Sequence, residues 1–165
     1  MKKQHTLASG ISVRWVGIFD LDDLYKKTKY WLDYQGFGNE NFEEKEYSES
    51  VKGEAKEIHW TWYSEKKESD YFSYVIETKA LLVGMKPVEI TKDGKKLTWI
   101  KGDIKIWITG YLLSDSKDRW KNTFFQKIYE KFIIHDRIEK HKLYMYDKIY
   151  SFQDEVKRYL DLRQP

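Results

Sequence analysis

The feature that most constrains this fold is the run Leu97–Leu113, which alternates over most of its length. Ile100, Ile104, Ile106, Ile108 and Leu112 share one parity; Leu97, Trp99, Lys101, Asp103, Lys105, Trp107, Thr109, Tyr111 and Leu113 share the other. Strand side chains point alternately to opposite faces, so the branched aliphatics face a core and the mixed row faces something wetter. A strand covered on one side belongs to an antiparallel sheet. Just before it, Asp93-Gly94 is a two-residue hairpin signal, because both central residues of that turn need positive φ. Upstream, Tyr71–Val83 and Val88–Thr91 read as two further strands, with a turn at Gly84-Met85-Lys86-Pro87 between them.

Taken in order, Ile11–Phe19 is a first strand, and Asp20-Leu21-Asp22-Asp23 opens a helix with Asp20 as N-cap. Leu21, Leu24, Tyr25, Thr28, Trp31 and Leu32 make its apolar stripe, and Gly36-Phe37-Gly38-Asn39 ends it. Asn41–Lys52 is acidic and weakly alternating, either an edge strand protected by charge or a loop. Ala55–Tyr63 is a strand with Ile58, Trp60 and Trp62 on one parity and His59, Thr61 and Tyr63 on the other. Ser64–Asp70 is a charged loop closing a hairpin. After the capping residues Ser114-Asp115-Ser116, the whole of Lys117–Leu162 reads as helix, without Pro or Gly. Trp120, Phe124, Ile128 and Phe132 form one row, flanked by Phe125 and Tyr129; Ile138, Met145, Ile149, Phe152, Val156 and Leu160 continue a stripe. Unbroken, such a helix would span roughly 65–70 Å, so a break is expected near His135-Asp136.

The expectation is a single α+β domain over residues 1–165. Residues 1–116 supply a strand, a helix and an antiparallel meander of four to five strands; residues 117–162 supply a long C-terminal helical region packed on one sheet face. Charged residues are plentiful at 35%, but a net charge of only +3 with Lys and Glu interspersed gives no polyanion trap. Nucleic acid is therefore not an expected partner. With no cysteine there is no disulfide, no thiol chemistry and no sulfur ligand for zinc. Met1-Lys2-Lys3-Gln4-His5-Thr6-Leu7 has no apolar run behind it, and no window reaches the length of a membrane span, so a cytoplasmic protein is expected.

This element order resembles that of the helix-grip superfamily, the START-domain and pollen-allergen-like lipid binders. The likeness covers nearly the whole chain and implies a curved antiparallel sheet wrapped around a long C-terminal helix with an apolar cavity. The sequence departs from the family in having one helix after the first strand, no evident Gly-rich loop and a longer tail. The tail, with Trp120, Tyr129, Phe132-Ile133-Ile134, Arg137-Ile138, Lys157 and Leu160, is similar to that of uncharacterised archaeal proteins and implies no function.

Reactive constellations are sparse. Phe19-Asp20-Leu21-Asp22-Asp23-Leu24 resembles the nucleophile motif of haloacid-dehalogenase phosphatases, where one carboxylate attacks phosphorus beside magnesium. Leu24 stands where a small or hydroxyl residue is needed, and the alternating strand–helix units of a parallel sheet are missing, so the motif reads as a capped helix start. His135 and Glu139 share a helix face, but His141 is splayed from His135, which reads as a solvated surface and not a metal site. His59 has no Ser or Asp spaced to form a triad, and Gly36, Gly38 and Gly102 make no phosphate loop. Lys92, Lys95, Lys96, Lys101 and Lys105 flank Trp99 and Trp107, a pattern that can stack single-stranded nucleic acid, but nearby acids oppose it. No catalytic residue, metal ligand or cofactor is expected.

Two functional expectations remain. The first is a non-catalytic interaction or assembly module. Its interaction face would hold Trp99, Trp107, Tyr111, Tyr63 and His59, and together with the long helical tail would contact another copy or another protein. The alternative is a carrier of an apolar small molecule or lipid, in a cavity between sheet and C-terminal helix lined by Trp60, Trp62, Ile76, Ile106 and Phe124.

Overall fold

A computed structural model describes residues 3–38, 42–114, 123–129, 131–132 and 135–162. Its elements run β1 (Lys3–Phe19), α1 (Leu21–Leu32), β2 (Phe42–Lys52), β3 (Ala55–Lys67), β4 (Phe72–Lys92), β5 (Lys95–Ser114), α2 (Thr123–Tyr129) and α3 (His135–Leu162). The strands form one antiparallel sheet in the order β1-β5-β4-β3-β2. β2 to β5 are thus a meander, and β1 closes on the free side of β5. The architecture is α+β, with α3 packed against β1 and β5.

The isoleucine parity of β5 spreads across the sheet through its register. Ile104 lies between Trp15 and Leu82, Ile106 between Val13 and Ala80, and Ile108 between Ile11 and Thr78. Ala80 and Thr78 in turn lie beside Trp60 and Trp62. Directly opposed residues share a face, so these side chains form one inner face, nearly all of it buried. Onto it α3 lays Met145, Ile149, Phe152 and Val156, all fully buried, each contributing about 1.5–3 kcal/mol. The stripe from Ile138 to Leu160 is therefore engaged on the chain's own sheet. Gly110 makes the close approach possible, since a Cβ there would lie 2.0 Å from Ile149 Cδ1. Trp31 of α1 stacks on Phe152 at 5.0 Å, and Tyr159 donates to Asp23 at 2.6 Å, tying the two helices together.

The structure differs from the sequence expectation at several points. Gly84-Met85-Lys86-Pro87 is not a turn; β4 runs straight through as one strand, with a register shift between Val83 and Lys86. Gly84 takes φ of 66°, which absorbs the extra residue of a bulge. Pro87 is tolerated because β3 pairs with β4 only as far as Met85, leaving an open edge. Beyond that point β4 and β5 continue as a two-stranded ribbon to the Asp93-Gly94 turn, where both residues have positive φ. β1 begins at Lys3, well before Ile11, and β3 extends to Lys67. The acidic segment is an edge strand, exposed along nearly its whole length. The described helical residues include α2, ending at Tyr129, and α3, starting at His135; Trp120 and, next to the expected break, Ile133 and Ile134 lie outside the described residues. No helix among the described residues is long and apolar enough to cross a membrane.

Candidate functional site

A cleft of about 500 Å³ opens where the start of α1 meets β2, β3 and the base of the ribbon. α1 contributes Leu21, Asp22 and Tyr25 beside its cap Asp20; β2 contributes Glu44 and Tyr47; β3 contributes Trp60; β5 contributes Thr98, Trp99 and Ile100. The helix starts here because Asp20 Oδ1 accepts the Asp23 N–H at 3.1 Å, satisfying one of the free donors of the first turn. That cap aims Tyr25, one turn on, across the inner sheet face.

Tyr25 is the hub of an aromatic cluster. Its ring meets Trp60 at 5.4 Å and 80°, Trp62 at 4.9 Å and 76°, and Tyr47 at 6.4 Å and 88°. These edge-to-face contacts suit the ring quadrupoles and set walls at near right angles. Glu44 holds the cluster from the edge strand, with Oε2 accepting from both Tyr25 Oη and, at 2.9 Å, Trp62 Nε1. Burial, followed by the bond to Glu44, pushes the Tyr25 hydroxyl up to about 12. Burial, followed by a 2.7 Å bond to Glu49, does the same to Tyr47, also to about 12. Both phenols therefore stay protonated at neutral pH. Trp60 is 2% exposed, and its Nε1 finds no acceptor among the described residues.

Three carboxylates, Asp20, Asp22 and Glu44, line the cleft, and none of its lining residues is basic. Three lysines nevertheless contact lining residues. Lys26 pairs with Asp22 at 2.6 Å, Lys29 stands 5.8 Å from the Tyr25 ring centre, and Lys92 stands 5.3 Å from that of Trp99. No group of three His, Cys, Asp or Glu residues able to hold a metal occurs among the described residues.

The residues singled out by parity separate in space. Tyr63, His59, Trp107 and Tyr111 do lie on the outer sheet face, through pairings such as His59 with Leu81 and Trp107 with Lys79. Their rings are already engaged: Lys105 covers Trp107 at 4.9 Å, Lys45 covers Tyr63 at 4.3 Å, and Tyr111 donates to Glu77 at 3.0 Å and is buried. His59 sits 3.0 Å from Glu57. Trp99 leaves this group. It shares their parity but is only 6% exposed, lies beside Val88 on the two-stranded ribbon under Lys92, and also lines the cleft. Trp60, Trp62, Ile76 and Ile106 are buried on the inner face, whereas Phe124 is 65% exposed and does not join them. His141 is not on an open helix surface but packs on Phe72 and Tyr74, and burial lowers its pKa.

Tyr25, Glu44 and Tyr47 escaped the sequence reading as site residues. Glu44 and Tyr47 have opposite parity, yet their partners Trp62 and Trp60 are both on the inner face, since a bulge lies between Glu44 and Glu46. Fold and site together define an α+β protein, a five-stranded antiparallel sheet with an acid-lined aromatic cleft at its first helix. No protein-family model, no curated protein and no solved structure matches the chain.

Proposed function

We propose that this protein is a non-catalytic binding module whose ligand is seated in the cleft between α1, β2, β3 and β5. The observation that carries it is the convergence of Tyr25, Tyr47, Trp60 and Trp99, from four separate elements, on one opening. Its volume suits a small molecule or a single side chain, within the range of about 300–1,000 Å³ typical of ligand sites. A binding role is supported by the commitments of the carboxylates. Asp20 caps α1, Asp22 pairs with Lys26, and Glu44 holds Tyr25 and Trp62. The packing of Ile149 against Gly110 makes this cleft a better seat than the space between α3 and the sheet for the apolar small molecule expected from the sequence. The order of elements supports kinship with helix-grip proteins. Ligand-observed NMR with a library of small aliphatic and aromatic fragments tests the proposal. Binders that are lost in Tyr47→Ala, a substitution on the exposed edge strand, are expected; no binders, or binders indifferent to it, would overturn it.

A second reading, association with another copy or another protein, is favoured by the exposed row Phe124, Phe125 and Ile128 on α2, with Phe132 75% exposed just beyond it. The outer sheet face supports it less, since lysines already cover Trp107 and Tyr63. Light scattering tests this reading. A dimer dissociated by Phe125→Glu would support it, and a monomer at every concentration would count against it.

A further inference from the structure

The charge and the surface of the cleft point the same way. Its aromatic walls carry negative ring faces, and of the three carboxylates that line it Asp22 is paired with Lys26 while Asp20 and Glu44 are bonded, among the described residues, only to neutral donors. Glu44 directs only Oε2 to Tyr25 and Trp62, and among the described residues no donor occupies Oε1. A hard metal ion would need a shell of oxygen ligands, which ring faces do not supply. A primary ammonium could pair with a lining carboxylate, as Lys26 does with Asp22, but it gains little from the apolar ring walls. An alkylated ammonium has lost most of a primary ammonium's hydration and presents methyl groups, so it gains from both the apolar walls and the charge.

Building on the binding-module reading, we propose that the cleft takes an alkylated ammonium group. Its methyls would lie against Tyr25, Tyr47, Trp60 and Trp99, with Glu44 and Asp20, whose own partners are neutral N–H and O–H donors, balancing its charge. Such a group is carried by small choline-like molecules and by trimethylated lysine side chains, and the chemistry of recognition is the same for both.

The test is calorimetric titration of the full chain with choline, with its neutral isostere dimethylbutanol, in which carbon replaces the ammonium nitrogen, and with a trimethyllysine peptide. Choline or the peptide is expected to bind at least about tenfold more tightly than the isostere. Trp99→Leu and Glu44→Gln are each expected to weaken that binding about 5–30-fold. Trp99→Phe, which keeps an aromatic face, should retain most of it and so separates recognition from folding; near-ultraviolet circular dichroism checks each variant. Tighter binding of choline assigns the group to a small molecule, and tighter binding of the peptide assigns it to a protein. An isostere that binds as well as choline would overturn the cation assignment while leaving the cleft as a ligand seat. If none of these probes binds and the fragment library also yields no binder, both proposals fall.

Discussion

Gly110→Ala is the sharpest probe of how α3 is seated. Gly110 lies on the inner face of β5 opposite Ile76 and Ala8, and its backbone is not in the left-handed region. Alanine is therefore conformationally welcome, and the loss of glycine's chain entropy alone would stabilise by about 0.5–1 kcal/mol. The new Cβ, however, would stand 2.0 Å from Ile149 Cδ1, 2.9 Å from its Cγ1 and 3.3 Å from Met145 Cε. The terminal methyl can swing, but displacing Cγ1 requires Ile149 to leave its χ1 rotamer or the helix to shift, and both Ile149 and Met145 are fully buried. Overpacking of this kind costs about 1–3 kcal/mol, so the net expectation is destabilisation by about 1–2 kcal/mol. For a chain of this size that lowers Tm by roughly 2–8 °C. Ile149→Val removes Cδ1, the nearest clashing atom, and alone costs about 0.5–1.5 kcal/mol. A double-mutant cycle by chemical denaturation should then show the pair less destabilised than the sum of its singles. A Gly110→Ala protein as stable as the parent, or strictly additive substitutions, would refute this placement of α3 on the sheet.

Other predictions concern the cleft and its frame. Asp20→Ala should cost about 0.5–2 kcal/mol in urea unfolding, whereas Asp20→Ser, which still accepts from the Asp23 N–H, should cost little. In the folded chain Tyr25 and Tyr47 hold their protons to about pH 12, while the unfolded chain releases them near 10.0. Unfolding thus releases protons in that window, so their contribution to stability is complete below pH 10 and is lost as pH rises through 12; denaturation midpoints measured across that range should fall. Glu44→Gln should bring the Tyr25 transition down toward its ordinary value in ultraviolet titration, since it removes the charge but keeps an acceptor. Gly84→Ala should destabilise by about 1–2 kcal/mol through left-handed backbone strain alone, because no neighbouring atom lies within 4 Å of the new Cβ.

Much of the frame was legible in sequence because it rests on strict periodicities. Ile104, Ile106 and Ile108 of β5 and the stripe Met145, Ile149, Phe152 and Val156 are buried as their spacing requires, and Asp93-Gly94 forms the turn that its positive φ preference demands. The failures fall where the period is interrupted. Gly84 followed by Pro87 is turn chemistry, but a bulge at a sheet margin uses the same residues, and only pairing with β5 distinguishes them. The bulge in β2 puts Glu44 and Tyr47 on one face against simple alternation, so the acid and ring that close the cleft were invisible to parity. Parity gives the row to which Trp99 belongs but not that it is buried at the base of the ribbon and lines the cleft. The row through Phe124, Ile128 and Phe132 has the spacing of a core helix yet is exposed; periodicity marks an apolar face without saying what lies against it.

The seat of the ligand can be read directly from the tryptophans. The chain contains seven of them, and 5-fluorotryptophan labelling gives each its own fluorine resonance, assigned by single Trp→Phe substitutions. On titration with phenyltrimethylammonium, the resonances of Trp60 and Trp99 should shift together and saturate at one common concentration, while that of Trp107 on the outer face stays fixed. A Trp107 resonance that moves while Trp60 and Trp99 remain still would contradict the account.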